Sequence, residues 1–315
     1  MPFSHHSHSG QFCRHAKGTL EEVVLEAIRQ GFEMFGLTEH VPRYRTQDLY
    51  PEEEGMELDG LAVTFDAFVD EGWRLKMKYA PQISILVGLE TDYITGLDLD
   101  ALEALLRKHG RKIEYIVGSV HHVSGIPIDF DVVTYQKALQ SCASGDAVST
   151  TPFLCAYFDA QYELFVRFFP EIIGHFDLCR LYTPDLSLSA PDVWKRVERN
   201  VEFAISYGAL FEVNAAAFRN SWDTAYPGRD IVQLILTKGG KFALSDDSHG
   251  PYAVGLNYHR VKAYLDEMGI RDLYHLQHAD EVNTRTGRAV QTVCAVNCLS
   301  HPFWARKILG AVQTV

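Results

Sequence analysis

Six short apolar runs constrain this chain more than any other feature: Met34–Leu37, Ile83–Leu89, Ile113–Val117, Ile172–Ile173, Leu210–Val213 and Phe242–Leu244. Each is rich in Val, Ile, Leu or Phe and too short for a helix, so each reads as a buried strand. Between them the apolar spacing becomes helical. Leu20, Val23, Val24, Ala27 and Ile28 follow an i, i+3, i+4 pattern, capped by Thr19 and stopped near Gly31. Val193, Val197, Val201, Ala204 and Ile205 repeat it before Gly208, and Ile231, Leu234 and Ile235 before Gly239-Gly240. Strands alternating with helices require parallel strands joined by crossover helices, and about seven or eight such units favour a closed barrel over an open sheet. The expected class is therefore α/β. No linker, fixed-period repeat or low-complexity segment interrupts residues 1–315, so one domain is expected. Ser141–Thr151, small and polar, reads as a surface loop.

The strand ends carry the chemistry. Met34–Leu37 runs into Glu39-His40, and Ile83–Leu89 stops at Glu90 and Asp92. Ile113–Val117 continues to His121-His122, and Ile172–Ile173 to His175 and Asp177. Leu210–Val213 contains Glu212 and ends at Asn214, while Phe242–Leu244 leads to Asp246, Asp247 and His249. In a barrel of parallel strands all these ends share one rim. Taken singly the signals are weak: His6-Ser7-His8 arises easily among 14 histidines, and Asp247 with His249 could be a helix cap beside an exposed imidazole. Their conjunction, with Lys and Arg mostly absent, points to a metal site of imidazoles and carboxylates. His6 and His8 alternate along an extended segment and can hold one ion together. A carboxylate can bridge two cations and an imidazole cannot, which makes Glu90 the natural bridge.

Composition narrows the partners. With 29 Lys+Arg against 41 Asp+Glu the net charge is −12, which argues against a nucleic-acid binder. No apolar run approaches the ~18–20 residues of a membrane span, and no signal peptide is visible at the N-terminus. Six cysteines without a CxxC or a regular framework read as reduced thiols of a cytoplasmic protein.

The segments HSHS (6–9), CRHA (13–16), GLTEH (36–40), GLETDY (88–93), GSVHHV (118–123), GHFDL (174–178), FEVNAAAFR (211–219) and LSDDSH (244–249) together resemble the polymerase-and-histidinol-phosphatase (PHP) metallophosphoesterases. GSVHHVSGIPIDFD (118–131) and HPFWA (301–305) look, more narrowly, like the fungal histidinol-phosphatases of histidine biosynthesis. The resemblance implies a distorted (β/α)7 TIM-like barrel with two or three divalent ions, Zn, Fe or Mn, on its carboxyl rim. It assigns His6, His8, Glu90 and Asp247 to a first ion, Glu90, His121 and His175 to a second, and His15, His40 and His249 to a third. His5 and His122 neighbour ligands on the opposite parity. Glu39 and Asp177 fit carboxylates that orient imidazoles.

The implied reaction is hydrolysis of the phosphomonoester L-histidinol phosphate to L-histidinol and phosphate, by a metal-activated hydroxide attacking phosphorus. Glu90, Asp247 and His249 take the catalytic positions. Arg180 and Arg219, five residues beyond His175 and Asn214, are expected on rim loops where guanidinium forks bind phosphate. Asn214 and His122 complete the expected substrate contacts, and Glu212 is a candidate for the substrate's cationic end. The proton donor to the leaving oxygen stays open among a metal-bound water, His249 and His122. A phosphoesterase of the same family acting on another phosphomonoester, and a catalytically inactive metal-binding module, are the alternatives. The oligomeric state is not readable.

Overall fold

The computed structural model describes residues 2–143, 149–220 and 222–305. At its centre are seven parallel strands: β1 (Phe3–Ser4), β2 (Met34–Leu37), β3 (Ser84–Glu90), β4 (Tyr115–Gly118), β5 (Ile172–Ile173), β6 (Leu210–Asn214) and β7 (Lys241–Ser245). Each pairs with the next in chain order. β7 comes round to β1, where the His5 backbone N–H donates to the Leu244 carbonyl at 3.2 Å. The sheet is thus a nearly closed barrel, the fold implied by the resemblance. Just beyond that seam Ser7–His8 pairs in parallel with Ser248–His249, which stitches the rim where the histidines lie.

Every crossover carries a helix. α1 (Leu20–Gln30) follows β1, α2 (Leu58–Tyr79) follows β2 and α3 (Gly96–His109) follows β3. α4 (Val132–Ser141) and α5 (Thr151–Phe168) follow β4, and α6 (Pro191–Tyr207), α7 (Arg229–Thr237) and α8 (Tyr258–Glu267) follow the last three strands. α1 begins as its sequence reads: Thr19 and Glu22 form a reciprocal capping box, and Gly31 ends the helix at φ 81°. Gly208 ends α6 in the same way at φ 89°. Ser141 closes α4 and Thr151 opens α5, so both ends of the expected loop are helical; residues 144–148 lie outside the described residues.

One side chain fills the barrel beneath the rim. Gly88 lies two residues before Glu90 and shares its face of β3. A Cβ on Gly88 would lie 2.6 Å from the Tyr115 ring, and one on Gly36 would collide with the Tyr115 hydroxyl. The two glycines therefore leave a channel for Tyr115, whose hydroxyl donates to the His5 carbonyl at 2.6 Å. The ring is fully buried.

The chain also forms an antiparallel hairpin beyond α8, β8 (Tyr274–His278) with β9 (Val290–Cys294). It leans on β7 through a Phe242–Leu273 bridge, and the Leu276 N–H donates to His5 Nε2 at 3.0 Å. The HPFWA segment that follows seals the core: Phe303 meets Phe32 at 5.0 Å, and Trp304 stacks on Tyr258 at 5.9 Å. Among the described residues no helix is long and apolar enough to cross a membrane.

Candidate metal centre

Glu90, the last residue of β3, is buried at the middle of the rim. Its Oε2 faces His6 Nε2 at 3.1 Å, His8 Nε2 at 3.3 Å and His40 Nδ1 at 3.0 Å. Its Oε1 faces His121 Nε2 at 3.2 Å and His175 Nε2 at 3.0 Å. Two oxygens of one carboxylate thus address two separate groups of imidazoles. Asp247 Oδ1 adds a second acidic centre, 3.7 Å from His6, 3.6 Å from His8 and 3.6 Å from His249. Asp247 sits at φ 49°, a left-handed conformation that Asp tolerates better than most residues. Its neighbour Asp246 turns into the frame instead, accepting from Ser4 Oγ at 2.9 Å and the Gly255 N–H at 2.6 Å.

Outer carboxylates aim the imidazoles. Glu212 Oε2 contacts His6 Nδ1 at 3.2 Å, leaving Nε2 toward Glu90, and its Oε1 accepts from the His175 N–H at 2.5 Å. Glu39 accepts the Ser9 N–H and hydroxyl, both at 2.8 Å, and stands 3.5 Å from His8 Nδ1. Asp92 faces His122 Nδ1 at 3.1 Å and His121 Nδ1 at 3.7 Å, backed by Arg43, which also pairs with Glu53. Such contacts fix ring orientation and raise ligand basicity.

These contacts divide the histidines electrostatically. For His8, burial opposes the charged form, but contacts with Glu39 and Glu90 overcome it and push the pKa up to about 9. His6 and His121 are likewise raised, burial being outweighed chiefly by Glu90. Burial wins at His40 and His249, which are lowered, and at His15, lowered to about 4. Against the penalty of burial, the surrounding imidazoles hold Glu90 and Asp247 well below the usual carboxylate range.

The residues fit divalent metal. Among the described residues, His6 Nε2, both nitrogens of His8 and both of His40 are buried without a hydrogen bond, although carboxylate oxygens crowd them. Donor atoms of His6, His8 and Asp247 lie within 4.8 Å of one another, as do those of His40, Glu90 and His121, and those of His8, Cys13, His40 and His249. His15 borders the same cavity, with its Nε2 3.2 Å from Cys13 Sγ. That cavity, about 270 Å³, opens above Glu90, Asp247 and His249, with Arg219, Tyr50 and Phe130 also on its walls.

Comparison with known proteins agrees with this architecture. Residues 4–216 match the PHP domain family. The chain belongs to the PHP family. Over 304 residues this PHP chain is 46% identical to a protein named a probable histidinol-phosphatase of Schizosaccharomyces pombe, spanning 95% of the chain and 96% of that relative. It is 29% identical to the histidinol-phosphatase of Saccharomyces cerevisiae, over 96% and 99% of the two chains. A Lactococcus lactis histidinol phosphate phosphatase, solved with zinc, L-histidinol and phosphate, shares the fold at TM-score 0.63 and 18% identity, covering 87% of this chain and 95% of that one.

Within the PHP site, the structure gathers all nine residues that the resemblance assigns to metal: His6, His8, His15, His40, Glu90, His121, His175, Asp247 and His249. The expected substrate contacts divide. Arg219 borders the cavity, its Nη atoms donating to the Asp246 carbonyl at 3.1 Å and the Asp247 carbonyl at 2.8 Å. Among the described residues it joins no ion pair. Arg180 does not reach the cavity: it is buried against Asp177 and Asp230, over the Trp222 ring at 5.9 Å. The short turn Leu178–Arg180 directs it into the wall, where a buried guanidinium needs carboxylates. Asp177 is held in that pair and by the Gly228 N–H, so it does not orient His175.

Asn214 donates to Glu212 Oε1 at 2.6 Å and accepts from the Ala216 N–H at 2.7 Å, bracing the frame rather than facing substrate. Glu212 braces His6 and does not border the cavity, so it is not placed to receive a cationic substrate group. His122 turns to Asp92 and lies off the cavity wall. Sequence reasoning passed over Cys13, Tyr50, Arg43 and Asp129. Cys13 was legible in the quoted CRHA segment and Asp129 in GSVHHVSGIPIDFD. Tyr50 and Arg43 come from an irregular loop with no periodicity to single them out.

Proposed function

We propose that the chain hydrolyses L-histidinol phosphate to L-histidinol and inorganic phosphate, a step of histidine biosynthesis, using two or three divalent ions of Zn, Fe or Mn. The observation that carries this reading is Glu90 set between two groups of imidazoles, with Arg219 on the wall of the same cavity. Bound ions supply positive charge against the phosphoryl oxygens and lower the pKa of water toward ~7. The chain's own residues do the rest. Glu90 and Asp247 concentrate negative charge where cations are needed, and Glu212 and Glu39 keep the His6 and His8 rings aimed at that place. Arg219, its fork anchored on two carbonyls, presents its remaining donors to the phosphoryl group. Water's oxygen forms the new bond to phosphorus as the ester P–O bond breaks, and the leaving alkoxide takes a proton. Of the two side chains considered as its donor, His249 borders the cavity and His122 does not.

The six cysteines, with no CxxC and no regular framework in their spacing, support a reducing, cytoplasmic setting. The test is phosphate release from L-histidinol phosphate beside a panel of other phosphomonoesters, with and without chelator. Preference for histidinol phosphate, lost on chelation and restored by a divalent ion, is the expected result. Chelator-sensitive turnover of a different ester alone would overturn the substrate assignment, and no turnover by metal-loaded protein would overturn the enzyme.

A further inference from the structure

The cavity has an acidic wall that phosphate hydrolysis does not use. After β4 the chain makes a tight hairpin in which His122 pairs with Pro127 and Val123 with Ile126. Ser124 at φ 53° and Gly125 at φ 75° form its two-residue turn, the geometry that folds a chain straight back on itself. The Ile128 N–H then donates to the His121 carbonyl at 2.9 Å, so Asp129 is delivered beside a histidine of the cluster. The Asp129 carbonyl is fixed by the Tyr182 hydroxyl at 3.1 Å.

Its carboxylate lines the cavity, yet Oδ1 is buried and accepts no hydrogen bond from the described residues. Among the described residues no Lys or Arg pairs with it. The imidazoles of His121, His122 and His175 are among the groups that face it, and Asp92 adds a like charge. A buried carboxylate oxygen left without a partner is costly and gains most from an arriving cation. Tyr50 and Phe130, ring centroids 6.5 Å apart, line the cavity with it, and Glu52 stands exposed at the rim. Aromatic faces beside a carboxylate make a cation-binding wall. The cavity therefore offers an anion site at the histidines and Arg219, and a cation site at Asp129.

We propose that Asp129 accepts a hydrogen bond from the substrate's ammonium group and so selects amino-alcohol phosphates over plain phosphomonoesters. This rests on the function proposed above, in which the substrate carries an ammonium two carbons from its ester oxygen. Asp129 is a specificity residue, while phosphorus chemistry belongs to the histidine cluster and Arg219.

The test compares kcat/KM for L-histidinol phosphate and for 3-(imidazol-4-yl)propyl phosphate, which lacks only the amine and the stereocentre, in wild-type, Asp129→Asn and Asp129→Ala enzymes of measured metal content. Removing the acceptor is expected to lower kcat/KM for the amine by about 10–100-fold, the range for a hydrogen bond to a charged group, and to leave the desamino ester nearly unchanged. Equal losses on both esters, or no loss on either, would overturn the proposal. A second measurement needs no variant: L-histidinol should inhibit wild-type enzyme about 10-fold or more tightly than 3-(imidazol-4-yl)propanol, and equal inhibition counts against Asp129. Failure of the substrate reading looks different, as wild-type enzyme would then favour neither imidazole ester. Phosphoethanolamine against ethyl phosphate would still decide Asp129, and equal rates for that pair would sink it.

Discussion

Glu90 and its neighbours show how a single carboxylate is made to serve two groups of imidazoles. Its two oxygens touch five rings, but those rings are useful only if their nitrogens point inward, and that is the task of Glu212, Glu39 and Asp92. Substituting Glu212→Gln removes the charge behind His6 and should weaken metal binding by about 10–100-fold, read by competition with a chromophoric chelator. The pH dependence follows from the same contacts. The folded pKa of His8, about 9, lies above the ordinary 6.5, so metal-stripped protein carries that proton at neutral pH. His6 and His121 are raised in the same direction. Metal needs neutral imidazole, so uptake at pH 7 must release protons, and apparent affinity should climb from pH 6.5 toward 9. Calorimetric titration in two buffers of different ionisation enthalpy checks this; identical heats would refute it. Without metal the sign reverses: the stability His8 adds is complete below pH 6.5 and is lost as pH rises through about 9.

At this scale much of the site was legible, because residues at strand ends must converge in a parallel barrel whatever their distance in sequence. Arg180 was misread because spacing alone cannot say whether a long side chain turns to the cavity or to a buried acid. Of the two acids that hold it, Asp177 lies three residues away and Asp230 fifty, and the second pairing exists only in the folded chain.

Among the elements, those with strong punctuation were readable. Thr19 and Gly31 bound α1, and Gly208 ends α6, because caps are local chemistry. β1 is two residues long, below the length at which alternation can be seen, and the β8–β9 hairpin has mixed exposure that leaves no clean pattern. Both are defined by partners: β1 by β2 and β7, the hairpin by His5 and β7. The passage of Tyr115 over Gly36 and Gly88 is equally invisible in sequence, since it joins three strands. Gly88→Ala places a methyl against that ring and should destabilise the protein by about 1–3 kcal/mol, measured by denaturant unfolding. An unchanged midpoint would mean that the ring has room to move.

For the molecule as a whole, a metal bound as proposed would also be a fastening. His6 and His8 follow β1, Glu90 ends β3, His175 follows β5 and Asp247 follows β7, so ions held among them would tie the first strand to the last across the barrel's seam. Ligand that binds only the folded state adds RT ln(1 + [L]/Kd), about 4 kcal/mol at a thousandfold excess over Kd. Stripping the ions should therefore lower the melting temperature by several degrees, and scanning calorimetry before and after chelation measures it. The fold class and the rim could be read from alternation of strand and helix; the nearly closed seam, with its His5–Leu244 bond, could not, because it depends on two ends of the chain meeting.

Tyr115 beneath Glu90 has a consequence for traffic. With its ring filling the barrel below the histidines, the centre is a vessel with a solid floor, and Tyr50 and Phe130 stand on the wall of the cavity above it. In such a vessel departure runs in reverse of depth. If phosphate binds at the histidines as proposed, the alcohol is expected to leave first and the phosphate last, with inorganic phosphate then competing with fresh substrate.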